Sequence, residues 1–130
     1  MDYIKRIIDS ELKEKLEISG AVQIKVPKWC GKTTSAKQFA KSIIEMQNPE
    51  LQDNYIELAN TKPSLLLEGD KPRLIDEWQI VPKIWNAVRY SVDKSGLTNQ
   101  YILTGSATPI DDNSLHSGIG RFSIIEMKPL

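Results

Sequence analysis

The sequence predicts an α/β fold, with a mostly parallel sheet covered by helices on both faces, and three observations predict it. Short apolar runs rich in β-branched residues recur along the chain: AVQIKV at 21–26, PRLIDEW at 72–78, QYILTGSA at 100–107 and RFSIIEM at 121–127. Segments with helical spacing stand between them, and this alternation is the mark of strands joined by crossover helices. Finally, 130 residues with 40% hydrophobic and 26% charged types suffice for one core, and no internal repeat or low-complexity linker divides them.

Each element can be read in turn. SELKEKLEISG, residues 10–20, predicts a short packing helix with Leu12, Leu16 and Ile18 on one side, Asp9 or Ser10 as its cap and Gly20 at its end. AVQIKV then alternates as a strand, PKWCGK breaks the pattern, and TTSAKQFAKSI resumes at helical period. Residues 43–47, IIEMQ, either finish that helix or form a second strand. Proline and asparagine bracket a helix from about Glu50 to Ala59, and SLLLEGD adds a turn before Gly69. After the strand at PRLIDEW, the segment VPKIWNAVRYSVDKSG reads as a helix with Pro82 in its first turn and Gly96 closing it. Ile84, Val88 and Val92 share one face of it, with Trp85 beside them. ATPIDDNSLHSGIG, residues 107–120, is a polar, glycine-bearing loop between the last two strands.

Composition narrows the function. Seventeen Lys+Arg balance seventeen Asp+Glu, so no global field draws the chain to nucleic acid or an anionic membrane, although a local basic patch is compatible with that balance. The apolar runs fall far short of the roughly 20 residues that cross a bilayer, and the N-terminus lacks a signal-peptide core. Cys30 is alone and so is His116, which excludes an internal disulfide and a cysteine metal cluster and predicts a reducing, cytoplasmic setting.

The sharpest chemical signal is VPKWCGKTT, residues 26–34, set between the first strand and a helix. A phosphate chain is held by backbone N–H groups converging from a tight loop and a helix N-terminus, by a lysine on the outer phosphates, and by a hydroxyl in the magnesium shell. Pro27, Lys28, Trp29, Cys30 and Gly31 form that loop, and Lys32, Thr33 and Thr34 follow it as lysine and hydroxyls. The full pattern G-x-x-x-x-G-K-[ST] asks for glycine where this chain has Val26, a bulkier residue that resists positive φ. The second signal is LIDEW, residues 74–78, at the end of a strand. Asp76 is suited to orient Mg2+ through its water shell, and Glu77 to take a proton from attacking water. The third is YILTGSATP, where Thr104, or Ser106 in competition with it, ends a strand with a hydroxyl suited to sensing the γ-phosphate. Arg121 follows the polar loop, where a guanidinium can stabilise charge in phosphoryl transfer, in its own or a neighbouring subunit.

Together these segments resemble the prokaryotic AAA+ family ATPases whose amino-terminal ATPase domain is followed by a domain of uncharacterised or nuclease-like type. The resemblance spans nearly the whole chain through PKWCGKTT, PRLIDEWQ, ILTGSATP and HSGIGRF, in that order. It implies a three-layer P-loop sandwich around a five-stranded parallel sheet, with ATP and Mg2+ as ligands. Lys32 and Thr33 then bind phosphate and metal, Asp76 coordinates, Glu77 activates water, Thr104 or Ser106 senses, and Arg121 matches the Gly-Arg of the pattern. Residues 1–130 read as the ATPase core of a longer protein whose C-terminal domain is missing here, and the resemblance further implies a homo-oligomer with a trans-acting arginine.

Two rival readings share these residues. A nucleoside or small-molecule kinase would use the same loop, but no acceptor pocket or lid is visible in the sequence, and Glu77 beside Asp76 favours hydrolysis. A non-catalytic interaction domain would follow if Val26 closes the phosphate loop. The remaining candidates have plainer readings: Trp29, Trp78, Trp85, Tyr90 and Tyr101 as packing residues, Cys30 as an oxidation-prone thiol, His116 as an unpartnered imidazole, and Lys13 and Lys15 among Glu11, Glu14 and Glu17 as a solvated helix face.

Overall fold

A computed structural model describes residues 2–26, 32–106 and 122–126. Its elements in chain order are α1 (Asp2–Ile18), β1 (Ala21–Val26), α2 (Lys32–Phe39), β2 (Ser42–Glu45), α3 (Gln52–Thr61), β3 (Arg73–Asp76), α4 (Lys83–Ser95), β4 (Tyr101–Ser106) and β5 (Phe122–Glu126). Short 3-10 turns at Pro63–Leu67 and Trp78–Ile80 precede β3 and α4. The five strands form one sheet in the order β2-β3-β4-β1-β5, and every pairing is parallel. The fold is therefore the α/β three-layer sandwich with a parallel five-stranded sheet that the sequence predicts.

Strand alternation divides the core between the two faces. Val22, Ile24, Leu74, Ile102 and Ile125 point to one side, where Leu12 and Leu16 of α1 and Ala36 of α2 cover them. Ala21, Ile75, Tyr101 and Leu103 point to the other, against Ala59 of α3 and Ile84, Trp85, Val88 and Val92 of α4. The Trp85 ring stacks on Phe122 of β5 with centroids 4.5 Å apart, which ties the edge strand to α4. Trp78, Trp85 and Tyr101 are thus packing residues, as expected. The ambiguous segment at 43–47 resolves as strand: Ser42–Glu45 pairs with β3, and Met46 is wholly buried beyond its end.

Three expectations need correction. The first helix begins at Asp2 and not near Ser10, so Asp9 and Ser10 lie inside it and cap nothing. The reason is visible in the spacing of Ile4, Ile8, Leu12 and Leu16, a four-residue recurrence that carries the helical period back through MDYIKRII. Ile18 does not join the packing side, being 63% exposed at the helix end. Tyr90 is not a core residue either; it is 67% exposed on α4. Among the described residues no helix is long and apolar enough to cross a membrane.

Candidate functional site

The carboxyl ends of the strands collect the polar residues. Leu74 and Ile75 fill opposite faces, so alternation turns Asp76 to the α1–α2 side, and the same count turns Thr104 to that side after Ile102 and Leu103. The two residues are in register across β3 and β4. Both are buried, and Thr104 Oγ1 donates to Asp76 Oδ1 at 2.6 Å. The second carboxylate oxygen, Oδ2, accepts from Gln47 Nε2 at 2.8 Å. A buried carboxylate costs several kcal/mol unless its oxygens are hydrogen-bonded, and these two contacts satisfy one site on each. Both donors are neutral, and no cation pairs with Asp76 among the described residues.

Glu77 stands at φ 57° and ψ 46°, a left-handed conformation that non-glycine residues rarely adopt. The turn has a clear result: it ends β3 and drives the next residue, Trp78, into the core at 3% exposure. It also separates the two acids, leaving Asp76 inside the network and Glu77 only half-buried beside it. Gln79 Nε2 donates to Glu77 Oε2 at 2.6 Å. The Gln79 amide lies directly over Gly105 of β4, where a Cβ would come within 2.2 Å of Gln79 Oε1. A glycine here permits close approach of a neighbouring side chain, not an unusual φ.

The start of α2 shares this edge. The chain leaves β1 at Val26, in register with Ser106, and enters α2 at Lys32, while α2 packs back against β3 and β4. The helix N-terminus therefore lies at the end of the sheet where Asp76 and Thr104 finish their strands, the place where open α/β sheets bind ligands. Val26 closes β1 in extended backbone and does not have positive φ. Of the two objections to valine at that position, conformational strain does not apply to this backbone.

Pro27, Lys28, Trp29, Cys30 and Gly31 lie outside the described residues, as do His116 and Arg121. The backbone of Lys32, Thr33 and Thr34 forms the first turn of α2, and that of Ser106 the last residue of β4. The neighbour of Arg121, Phe122, is in register with Ala21 at the amino end of β1. That is the end of the sheet opposite Val26, about 17 Å away at the ordinary rise of a strand.

Gln47 and Gln79 are the residues that sequence reasoning missed. Gln47 was visible only as the end of an apolar run, and Gln79 only as the residue after Trp78. Nothing in either pattern announces a partner, because both contacts depend on how separate strands and turns come together. One partial signal did exist: Gly105 stands inside a strand, and such a glycine marks close approach.

The composition of this site limits what it can hold. Among the described residues no group of three or more His, Cys, Asp or Glu side chains is placed to hold a metal ion. A single buried carboxylate with a neighbouring hydroxyl suits a hard cation that keeps several waters and takes further oxygens from a phosphate, and does not suit an all-protein cage. A family model described as an AAA domain, AAA_14, matches residues 18–130. No curated protein matches the chain.

Proposed function

The chain belongs to the AAA_14 family of AAA domains, within the AAA+ P-loop ATPases, and from that premise we propose that it binds ATP with Mg2+ and hydrolyses it at the carboxyl edge of the sheet. The observation that carries this reading is the buried Asp76 carboxylate, held by the neutral donors Thr104 and Gln47 at the edge where α2 begins. Its charge is left for a cation that is not part of the network.

In this reading the loop from Pro27 to Gly31, with Thr34, surrounds the phosphates, the backbone N–H groups that follow Pro27 donate to them, and Lys32 neutralises the outer ones. Thr33 and Asp76 hold Mg2+, whose positive charge lowers the cost of the charge building on the transferred phosphoryl group. Thr104 fixes the rotamer of Asp76 with its one O–H and keeps its oxygen lone pairs available to accept from the attacking water. Ser106 is the hydroxyl that senses the γ-phosphate in this reading. Glu77, kept apart from Asp76 by the left-handed turn, accepts the proton of the attacking water. Gln79 holds one Glu77 oxygen and so restrains where the other points. Arg121 acts in trans, in a homo-oligomer, since its neighbour Phe122 sits at the amino edge of its own sheet.

Calorimetric titration with ATP and Mg2+, paired with phosphate-release assays, tests the reading. We expect saturable binding in the low micromolar range that Lys32→Ala abolishes, and slow turnover. Absence of binding in both the natural chain and Val26→Gly would sink it. Binding gained only on Val26→Gly would instead favour a closed site and a non-catalytic interaction domain. Transfer of phosphate to a nucleoside, with water excluded, would favour the kinase. For Arg121, mixing Arg121→Ala with Glu77→Gln subunits should restore turnover that neither has alone.

A further inference from the structure

A cavity bounded by described residues lies on the face of the sheet that α3 and α4 cover, opposite α1 and α2. It has a volume of about 1260 Å³ and runs along α4, walled by the end of α3 and the 3-10 turn at Pro63–Leu67. Four lysines line it: Lys62, Lys71, Lys83 and Lys94. Glu68 is the only acid among the lining residues. In a chain whose charges balance to zero, this is a local concentration of positive charge.

Three of the lysines are held by neutral groups. Lys71 Nζ donates to the Leu67 carbonyl and sits 4.5 Å from the centroid of the Tyr101 ring. Lys83 Nζ donates to Asn60 Oδ1 at 2.9 Å, and Lys94 Nζ lies over the Tyr90 ring. No carboxylate pairs with any of the four among the described residues. A carbonyl, an amide oxygen or a ring face orients an ammonium without cancelling its charge. The field of the groove is thereby largely preserved, with Glu68 its one lining acid, and an anion from outside would find a net positive surface.

Spacing decides what kind of anion. Lys83 and Lys94 stand on one helix, about 16 Å apart along its axis. Charges spread over that length do not converge on one phosphate; they match a chain of regularly repeated anions. The groove also presents Tyr90, 67% exposed, with an ammonium above its ring. A basic groove combined with an exposed aromatic platform is the arrangement that holds single-stranded nucleic acid, the cations following the backbone and the ring stacking a base. We propose that this groove binds single-stranded nucleic acid, with Lys62, Lys71, Lys83 and Lys94 on its phosphates and Tyr90 against a base.

The test is fluorescence anisotropy with labelled twelve-nucleotide thymidine and uridine strands, at a series of salt concentrations and in the presence of saturating Mg-ATP. Four phosphate contacts on a single strand imply a logarithmic salt slope near −3, or roughly 50-fold weaker binding between 50 and 200 mM salt. The double variant Lys62→Gln, Lys94→Gln should lower that slope by about 1.4. Tyr90→Ala should weaken binding roughly tenfold at constant slope. All three positions are exposed, so an unchanged thermal midpoint will exclude misfolding as the cause. Three outcomes overturn the proposal: no binding to either strand, binding that the lysine pair does not alter, or displacement by Mg-ATP, which would locate the strand at the phosphate loop. Equal competition by poly-glutamate would overturn it as well, since the groove would then read charge alone and suit an acidic protein segment.

Discussion

The carboxyl edge of the sheet and the lysine groove on α4 both hold charge that the described residues leave uncompensated, and they do so in opposite ways. At the edge, one carboxylate is buried and fixed by two neutral donors that converge on it. In the groove, four ammoniums are dispersed over the surface, three of them touching neutral groups. A buried charge with fixed partners is built for one small ligand in one geometry. Cations spread along a groove, two of them on α4, suit a long ligand whose contacts are individually weak and replaceable. Changes at the edge should therefore alter chemistry and folding together, whereas changes in the groove should alter salt-dependent affinity and leave the fold alone.

The sharpest break of this contrast is Glu77→Gln. Removing a general base typically costs 10²–10⁴-fold, so phosphate release should fall by about that factor while calorimetry still records ATP binding. Nucleic-acid affinity in the groove should not move. Unchanged turnover would remove Glu77 from the chemistry and separate the acid pair from hydrolysis.

Asp76→Ala probes the same contrast through stability. The substitution strips a buried donor, Thr104 Oγ1, and the amide of the exposed Gln47 of their acceptor. Leaving buried polar groups unpaired costs about 1–3 kcal/mol, which urea denaturation should resolve. Lys62→Ala, at an exposed position, should change stability by no more than about 0.5 kcal/mol. Similar losses at both sites would show that the groove lysines are structural and erase the distinction drawn between the two regions.

How far each region could be read from the sequence follows from the same physics. Strands β1, β3, β4 and β5 were legible because they are short apolar runs bounded by turn residues, and α4 because Ile84, Val88 and Val92 repeat at helical spacing. Asp76 and Glu77 were legible as a pair because both fall at the end of a strand. Their different environments were not, since these depend on the left-handed turn at Glu77, which no glycine announces. Gln47 and Gln79 were silent for a related reason: an amide has no preferred partner until tertiary structure supplies one. The groove was the least legible feature. Its lysines are scattered from position 62 to 94, and only the packing of α3 and the 3-10 turn against α4 gathers them.

The smallest effect predicted at the carboxyl edge tests whether its geometry, and not its charge alone, matters. Gln79→Ala removes the contact to Glu77 Oε2 without touching the carboxylate or Asp76. If that contact aims the base, turnover should fall by about tenfold at unchanged KM for ATP, the size expected for a hydrogen bond to a charged group. Gly105→Ala reaches the same end by another route. Its added Cβ, 2.2 Å from the present position of Gln79 Oε1, must push the amide away, because the strand backbone is the stiffer partner. The two variants should thus share one kinetic phenotype, and the double variant should be no worse than either alone, since each disables the same contact. Additive losses would mean that Gly105 acts through the strand or through Ser106. A rise in KM with constant turnover would place Gln79 in nucleotide binding instead of in the alignment of Glu77.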